Sequence, residues 1–223
     1  MKILITAGNT LVPIDQVRAI TNIFKGRTGN KLAGFMANAG AAVTLVTSRP
    51  EFTPKMGNLR IISYETYYDL YEIMKKQITQ KNYDVVIHSA AVSDYFVSNV
   101  LVSDHLSPVD ASGKISSNHS KLYLELSPLE KIIDKIRSDW KFSGTLIKFK
   151  LEIGKTNEEL ISIATESVRA SKANLIVANC LEWSKKSAII VYPDGTYSKI
   201  ERSILPKELW RIINEKDSLG NNR

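Results

Sequence analysis

Cysteine is nearly absent from this sequence: Cys180 is the only one in 223 residues. A single cysteine cannot form an internal disulfide, and chains without disulfides are typical of reducing compartments. No apolar run reaches the roughly 20 residues that a helix needs to cross a bilayer, and the chain start lacks the length and flanks of a signal peptide. We therefore expect a cytoplasmic protein without membrane association, in which Cys180 is a small buried residue.

The sequence has fewer acidic than basic residues. The chain has 30 Lys and Arg against 23 Asp and Glu, and the resulting net charge of +7 attracts polyanions. Its densest basic pairs, Lys75-Lys76 and Lys185-Lys186, have no interleaved aromatic residues of the kind on which nucleic-acid bases stack. The charge therefore favours small polyanions, such as nucleotide triphosphates and phosphorylated metabolites, and we expect no nucleic-acid partner.

What the sequence does contain is an alternation of short apolar runs with amphipathic helical patterns. Leu32, Met36 and Ala39, for example, fall at helical spacing before Gly40, where that helix is expected to end. Such alternation indicates β-α-β crossovers. The predicted fold class is α/β, with a doubly wound, mostly parallel Rossmann-like sheet and helices on both faces. Strands are predicted over residues 2–7, 42–47, 59–63, 84–91, 121–126, 145–151 and 174–179.

Other segments depart from this rhythm. Residues 95–120 have no helical period and are predicted to form an inserted flap, since long excursions in compact domains tend to be functional. Ser127 and Thr156 each open a capping-box pattern that predicts a helix start, and Pro193-Asp194-Gly195 predicts a hairpin turn. We expect a single nucleotide-binding domain over residues 1–216 and a flexible tail over residues 217–223.

Ligands of doubly wound folds bind beyond the carboxyl ends of the strands. Here Gly8 follows the first strand, and Gly26 and Gly29 precede the first long helix, where glycines let backbone amides approach an anion. Glycines at such a junction also occur simply to make the turn. The segment is not a Walker loop, because it lacks Gly-Lys-Ser/Thr, and its strand-helix connection is too long for a dinucleotide fingerprint.

Five motifs follow one another through nearly the whole chain. Any one of them is weak evidence, but their order and distances make an accidental match improbable. They are Ile5-Thr6-Ala7-Gly8-Asn9-Thr10 with Pro13-Ile14-Asp15, Val17-Arg18, Ile20, Asn22 and Gly26-x-x-Gly29; Ser89-Ala90-Ala91-Val92-Ser93-Asp94-Tyr95; Lys114-Ile115-Ser116-Ser117; Phe149-Lys150-Leu151-Glu152; and Leu175-Ile176-Val177-Ala178-Asn179. In these motifs the chain resembles phosphopantothenoylcysteine synthetases, also called phosphopantothenate-cysteine ligases.

The resemblance implies a ligase of coenzyme A biosynthesis that joins 4′-phosphopantothenate to L-cysteine. A nucleotide triphosphate, CTP or ATP, converts the carboxylate into an acyl-nucleotide and releases pyrophosphate, after which the cysteine amine displaces the nucleotide monophosphate. Because a carboxylate is a poor acyl donor, such an enzyme must form the mixed anhydride and stabilise the developing phosphate charge. Mg²⁺ on the triphosphate would share the second task, and the residues that would hold it are left open.

The resemblance also implies roles for particular residues. Lys114 on the flap would reach the triphosphate, and the side-chain amide of Asn22 would hold the acyl-nucleotide. Without the motif match, the first would be interpreted as a solvated loop lysine and the second as a cap or turn residue. Lys114 and Asn22 are the predicted catalytic residues; the predicted substrate-binding residues are Arg18, Gly26, Gly29 and Ala91, and the predicted nucleotide-binding residues are Gly8, Ser89, Ala90, Asp94, Lys114 and Phe149.

Three of these residues have a second interpretation. Arg18 would share a helical face with Asn22 if residues 18–22 form one helical turn, or it would make a surface ion pair with Asp15. Asp94 would bind the nucleotide or its metal, or is a turn residue. Phe149 would flank the nucleotide, or is an ordinary core aromatic.

The chain also departs from the family pattern. Ser167 and Ser171 stand where many bacterial members have lysines that help to hold the triphosphate, which leaves the choice between CTP and ATP open. The family's Ser-Ser-Gly is here Phe24-Lys25-Gly26, and the flap motif ends in two serines rather than two lysines.

Many bacterial relatives carry an amino-terminal flavin-binding decarboxylase domain, whereas Met1 here directly precedes the first strand. We therefore expect the monofunctional synthetase without flavin, with a separate decarboxylase protein as a possible partner. The family pattern also implies a homodimer in which the flap of one subunit completes the neighbouring site.

Two other function classes remain open at this point. Tyr71-x-x-x-Lys75 matches the catalytic pair of short-chain NADP-dependent reductases, although Tyr71 lies on a predicted apolar stripe and the glycine-rich fingerprint is missing. A nucleotide-binding module without turnover is the second alternative, because fold alone does not imply function.

Overall fold

The computed structural model describes residues 1–102 and 107–220, with side chains described as far as residue 215. The strands in these residues, in chain order, are β1 (Lys2–Ala7), β2 (Leu11–Pro13), β3 (Ala19–Thr21), β4 (Ala42–Thr47), β5 (Leu59–Ser63), β6 (Val85–His88), β7 (Tyr95–Val102), β8 (Ser107–Pro108), β9 (Leu122–Pro128), β10 (Thr145–Glu152), β11 (Leu175–Cys180), β12 (Ser187–Val191) and β13 (Tyr197–Glu201). The helices are α1 (Arg27–Asn38), α2 (Tyr67–Gln80), α3 (Ile132–Ser138), α4 (Asn157–Ala170) and α5 (Leu205–Gly220), with short 3-10 turns at Pro50–Phe52 and Arg202–Ile204.

The main sheet has eight strands in the order β13-β12-β11-β10-β6-β1-β4-β5. Pairing is parallel from β5 through β1 to β11, whereas β12 and β13 are antiparallel additions at one edge. The chain winds outward from β1 to β5, returns to the other side of β1 and continues from β6 to β11. The predicted doubly wound, mostly parallel Rossmann-like sheet is confirmed, and its topological switch point lies between β1 and β6.

Helices cover both faces of this sheet. Since side chains alternate along a strand, Ile3 and Ile5 of β1 face one helical layer and Leu4 faces the other. The first layer contains α1 and α5, and the second contains α2, α3 and α4. The helix residues buried against the sheet include Leu32, Met36, Leu209 and Ile213 in the first layer, and Leu70, Met74, Ile132, Ile136, Leu160 and Val168 in the second.

Residues 95–102 and 107–128 form an arm that pairs apart from the main sheet. β7 lies between β8 and β9, antiparallel to both, with a register shift between Val97 and Asn99. The predicted flap over residues 95–120 is therefore partly a regular strand, whose alternation in the sequence is obscured by this bulge. Residues 109–121 form neither helix nor strand. Residues 103–106 of the predicted flap lie outside the described residues.

Two capping predictions had opposite outcomes. The helix start at Ser127 is wrong, because β9 continues to Pro128 through pairing of Ser127 with Phe96, and α3 begins only at Ile132. The helix start at Thr156 is confirmed: the Thr156 hydroxyl accepts the Glu159 N–H at 3.2 Å, and the Glu159 carboxylate accepts the Thr156 N–H at 2.9 Å. Cross-strand pairing with the arm thus overrode a sequence pattern that was locally adequate.

The carboxyl-terminal part of the chain follows the prediction as far as α5. The hairpin between β12 and β13 is confirmed, and Cys180 is buried with 1% exposure. α5 continues to Gly220, so the first residues of the predicted tail are helical, while residues 221–223 lie outside the described part of the chain. Within the described residues, every helix falls short of the length or apolar character needed to cross a bilayer.

Candidate functional site

The loops that follow β1 and β6 are joined at the switch point. The Ala91 N–H donates to the Gly8 carbonyl oxygen at 2.8 Å, and the Ser93 N–H donates to the Thr10 hydroxyl at 2.9 Å. These contacts hold two predicted site residues, Gly8 and Ala91, side by side at the carboxyl edge of the sheet. This edge is the location that the fold class predicts for a ligand.

The Thr6 hydroxyl organises the start of the second loop. It accepts the N–H groups of Ser89 at 3.1 Å and Ala90 at 3.2 Å, and it lies 2.9 Å from Nδ1 of His88. Because both acceptor positions of this hydroxyl are used, its single proton goes to His88, whose Nδ1 must then be unprotonated. A neutral His88 is therefore part of the arrangement that holds Ser89 and Ala90.

Burial, followed by the nearby charge of Lys148, lowers the pKa of His88 to about 4 from an ordinary value of 6.5. The folded state therefore binds this proton less readily than the unfolded state. The corresponding stability is fully present above pH 6.5 and is lost as the pH falls towards 4. We expect acidification from pH 7 to pH 5 to lower the free energy of unfolding by about 2 kcal/mol through His88 alone.

This prediction is checked by urea unfolding of the His88→Asn variant at both pH values. The Asn side-chain oxygen can accept the Thr6 proton but does not titrate, so the variant should lose less stability on acidification than the wild type. His119→Asn is the control, because His119 lies in the irregular part of the arm. Equal acid sensitivity of the wild type and His88→Asn would contradict the assignment.

The start of α1 lies directly on the ends of β1 and β6. A Cβ atom added at Gly26 would come within 2.1 Å of the Gly8 nitrogen, and one added at Gly29 would come within 2.6 Å of the Ser89 Oγ. Gly26 also has a φ of +70°, a conformation that strains side-chain-bearing residues. Gly26 therefore makes the turn, as in the simpler interpretation, whereas Gly29 lies inside α1 and does not precede it as expected; both glycines admit the helix to the switch point.

Asn22 is fixed against the same loops. Its Nδ2 donates to the Ala91 carbonyl at 3.1 Å, while its own carbonyl accepts the Nδ2 of the buried Asn9 at 2.8 Å. The helical turn considered for residues 18–22 is wrong, because Ala19–Thr21 is strand β3, paired with β2. Arg18 and Asn22 therefore flank a short strand and do not share a helical face.

Arg18 does form the alternative ion pair with Asp15, with its own side chain 40% exposed at the surface. The Asp15 side chain is fully buried, and the Arg18 guanidinium lowers the pKa of this carboxyl far below its usual range. Lys114 is exposed and directly precedes Ile115, whose backbone contacts this pair.

Two other predicted residues lie around the joined loops. Asp94 is exposed at the base of the arm, where its carbonyl accepts the Leu129 N–H at 2.8 Å. Phe149 is partly buried and packs against the core layer that includes α1. The described hydrogen bonds thus bring together Gly8, Asn22, Ser89, Ala90 and Ala91, and close packing adds Gly26 and Gly29. Neither links the other predicted residues to them, namely Arg18, Asp94, Lys114 and Phe149.

The sequence analysis missed several residues that shape this site. Besides Thr6 and Asn9, Arg202 donates to the Asn179 side-chain oxygen at 3.0 Å and to the Thr28 hydroxyl at 2.6 Å. It thereby ties the end of β11 to the first turn of α1, and its burial lowers the pKa of the guanidinium. The motif match pointed to Asn179, but no spacing rule connects it to an arginine beyond the final hairpin.

Lys148 hydrogen-bonds both Ser167 and Ser171, the two serines that depart from the family pattern. The Lys148 ammonium lies 3.0 Å from the Ser167 Oγ and 3.2 Å from the Ser171 Oγ, and desolvation lowers the pKa of this lysine to about 8. Since the end of α4 precedes the amino end of β11, both serines face the interior away from the carboxyl edge. They have no described contact with the joined loops.

An open groove of about 470 Å³ runs along α1. Its lining combines two cationic side chains, Arg27 and Lys31, with two aromatic ones, Phe35 and Phe52. None of the predicted site residues lines it. Within residues 1–102 and 107–215, whose side chains are described, His, Cys, Asp and Glu do not gather in groups of three or more that would hold a metal.

Known proteins are similar to this chain in sequence and in fold. The family model of the DNA/pantothenate metabolism flavoprotein C-terminal domain matches residues 1–203. The coenzyme A biosynthesis bifunctional protein CoaBC of Thermococcus kodakarensis is 33% identical over 95% of this chain and 50% of its own length. Phosphopantothenate–cysteine ligase 1 of Oryza sativa subsp. japonica is 27% identical over 84% of this chain and 70% of its own length.

A solved structure agrees over the whole length. The crystal structure of the DNA/pantothenate metabolism flavoprotein from Streptococcus pneumoniae has 31% sequence identity and a TM-score of 0.83, and the match covers 98% of this chain and 99% of that one. The chain spans about half the length of the bifunctional relatives that it matches. It belongs to the family of the DNA/pantothenate metabolism flavoprotein C-terminal domain.

Proposed function

We propose that this protein is a phosphopantothenate-cysteine ligase, which makes 4′-phosphopantothenoyl-L-cysteine from 4′-phosphopantothenate and L-cysteine. A carboxylate oxygen of phosphopantothenate attacks the α-phosphorus of a nucleotide triphosphate, and the bond to the departing pyrophosphate breaks. The cysteine amine then attacks the acyl carbon, loses a proton and releases the nucleotide monophosphate. The names of the relatives in coenzyme A biosynthesis support this reaction.

One observation carries the proposal: the start of α1 packs directly against the joined loops at the switch point. Gly8, Gly26 and Gly29 permit this close approach, because a Cβ atom at any of them would overlap neighbouring atoms. Backbone amides at a helix start suit a phosphate group, and two loops at a switch point suit a nucleotide. This arrangement favours nucleotide chemistry over binding of an uncharged ligand.

We assign roles in this reaction from the geometry and the resemblance. The start of α1, with Gly26 and Gly29, would receive phosphates. Ser89, Ala90, Asp94 and Phe149 would lie around the nucleotide. Arg18, Ala91 and Asn22 would contact phosphopantothenate or its acyl-nucleotide. Lys114 would stabilise charge on the phosphates during acyl-nucleotide formation.

The co-substrates and partners remain part of the proposal. Mg²⁺ would arrive with CTP or ATP and neutralise charge on the triphosphate. We also retain a cytoplasmic homodimer, possible association with a separate decarboxylase, and no flavin in this chain.

The decisive experiment measures pyrophosphate release by the protein with Mg²⁺, 4′-phosphopantothenate and cysteine, with CTP and ATP offered separately. We expect release with one of these nucleotides, strictly dependent on phosphopantothenate, because the first half-reaction consumes its carboxylate. The preferred nucleotide is identified by the same assay. Tight nucleotide binding without release would contradict the ligase proposal and favour a binding module without turnover.

The packing of Tyr71 disfavours the reductase alternative. Its ring contacts Trp140 edge-on at 5.4 Å and stacks on Tyr67 at 6.1 Å, within the core layer beneath α2. Tyr71 is partly buried, and its ring is engaged in this aromatic packing rather than placed at the joined loops.

A further inference from the structure

The turn between β2 and β3 holds the segment that carries Lys114. Both backbone groups of Ile115 are bound by side chains of this turn: its N–H donates to Asp15 Oδ2 at 3.1 Å, and its carbonyl accepts Arg18 Nη2 at 2.8 Å. The side chain of Gln16 adds a bond of 2.6 Å to the Ser112 carbonyl. The contacts thus lie on both sides of Lys114, and its own side chain stays exposed.

Both carboxylate oxygens of Asp15 accept hydrogen bonds. Asp15 Oδ2 accepts both Nε and Nη2 of Arg18, and Asp15 Oδ1 accepts the N–H groups of Val17 at 2.8 Å and Arg18 at 2.7 Å. The carboxylate therefore has five hydrogen-bond donors, one of which belongs to the arm. Charge-assisted and forked hydrogen bonds of this kind are the strong ones.

The burial pattern agrees with a built contact. Ile115 is 2% exposed and the Asp15 side chain is 0% exposed, although both belong to loops. A buried carboxylate is tolerated only when it is paired and hydrogen-bonded, and Arg18 together with the Ile115 amide meets this requirement. Separation of the segment from the turn would leave that carboxylate without one of its donors.

We propose that Asp15, through its ion pair with Arg18, is a positioning residue. The pair hydrogen-bonds the backbone of Ile115 and thereby holds Lys114 against the site. This inference rests on the proposed function, because it assigns Asp15 to the service of Lys114 in acyl-nucleotide formation. Asp15 itself lies beneath the backbone and is given no contact with substrate.

The first test concerns the hydrogen bonds between the Asp15-Arg18 pair and Ile115, and it does not depend on the reaction. Trypsin cleaves after Lys114, and the amide of that bond is the Ile115 N–H bound by Asp15. In Asp15→Asn, cleavage at this bond should become about tenfold faster relative to cleavage after Lys185, because the charged hydrogen bond is lost and the segment opens more often. Asp194→Asn is the matched control: Asp194 caps the β12-β13 turn through Thr196 but is exposed and binds no distant segment.

The second test is a double-mutant cycle on the rate of pyrophosphate release. Asp15→Asn alone should lower the rate about tenfold, yet have almost no further effect when Lys114 is already alanine. Independent effects that multiply would overturn the positioning role. If the wild type released no pyrophosphate, the same cycle would be measured on nucleotide affinity by calorimetry. Failure of the ligase proposal thus stays distinguishable from failure of the positioning role of Asp15.

A second variant guards against misfolding. Arg18→Lys keeps the charge but loses the forked contact that reaches both Asp15 and the Ile115 carbonyl. It should accelerate cleavage after Lys114 in the same direction as Asp15→Asn, with an unchanged circular dichroism spectrum. Unchanged cleavage after Lys114 in both folded variants would overturn the proposal.

Discussion

Substitution of Lys114 by alanine is expected to slow pyrophosphate release by about 10²–10³-fold, the usual loss when one preorganised charge-stabilising group is removed. The side chain is exposed in the described structure, while the backbone on both sides of it is held by the Asp15-Arg18 turn. A cation presented in this way costs little to reorganise when negative charge builds up on the phosphates. Lys114→Ala should weaken nucleotide affinity much less than it slows the reaction, because Gly26 and Gly29 at the start of α1 are unchanged.

Lys185→Ala provides the comparison for Lys114→Ala. Lys185 is also an exposed lysine outside regular structure, in the turn between β11 and β12, and is expected to leave the rate unchanged. Stopped-flow measurement of pyrophosphate with saturating nucleotide separates the chemical step from binding. A similar rate for wild type and Lys114→Ala would remove Lys114 from the catalytic role and return it to a solvated loop lysine.

The sequence predicted the main sheet well because its strands carry strong local signals. Buried parallel strands are almost continuously apolar, so the runs at residues 2–7 and 42–47 match β1 and β4 residue for residue. The arm was harder. The predicted strand over residues 121–126 matches β9, but β7 is stabilised by pairing with β9 about 25 residues further along the chain, which no local pattern encodes. The same long-range pairing explains the error at Ser127.

The candidate site divides in a similar way. Gly8, Gly26, Gly29 and Ala91 were found because backbone conformation and motif order are visible in a sequence. The contacts of Thr6 with Ser89, of Asp15 with Ile115, and of Arg202 with Asn179 join residues that are far apart in the chain. Their geometry exists only after the sheet has formed, so the sequence contained the residues but not the pairs.

Gly26→Ala is expected to lower the free energy of unfolding by about 2–5 kcal/mol and to abolish nucleotide binding. Two costs combine at this position. The φ of +70° disfavours any residue with a Cβ atom by about 1–2 kcal/mol. The added Cβ would also lie 2.1 Å from the Gly8 nitrogen and 2.6 Å from the Gly8 Cα, so the backbone of α1 or of the first loop must shift, at a further cost of about 1–3 kcal/mol.

Gly195→Ala separates these two costs. Gly195 also has a positive φ, +91°, but it lies in the β12-β13 turn and an added Cβ atom would meet nothing within 4 Å. This variant should therefore lose only about 1–2 kcal/mol in urea unfolding and keep full nucleotide affinity in calorimetry. Equal losses of stability in the two variants would mean that α1 can move away from Gly8 without penalty. The close approach of α1 to the switch point would then be incidental, and the nucleotide surface proposed there would lose its main structural support.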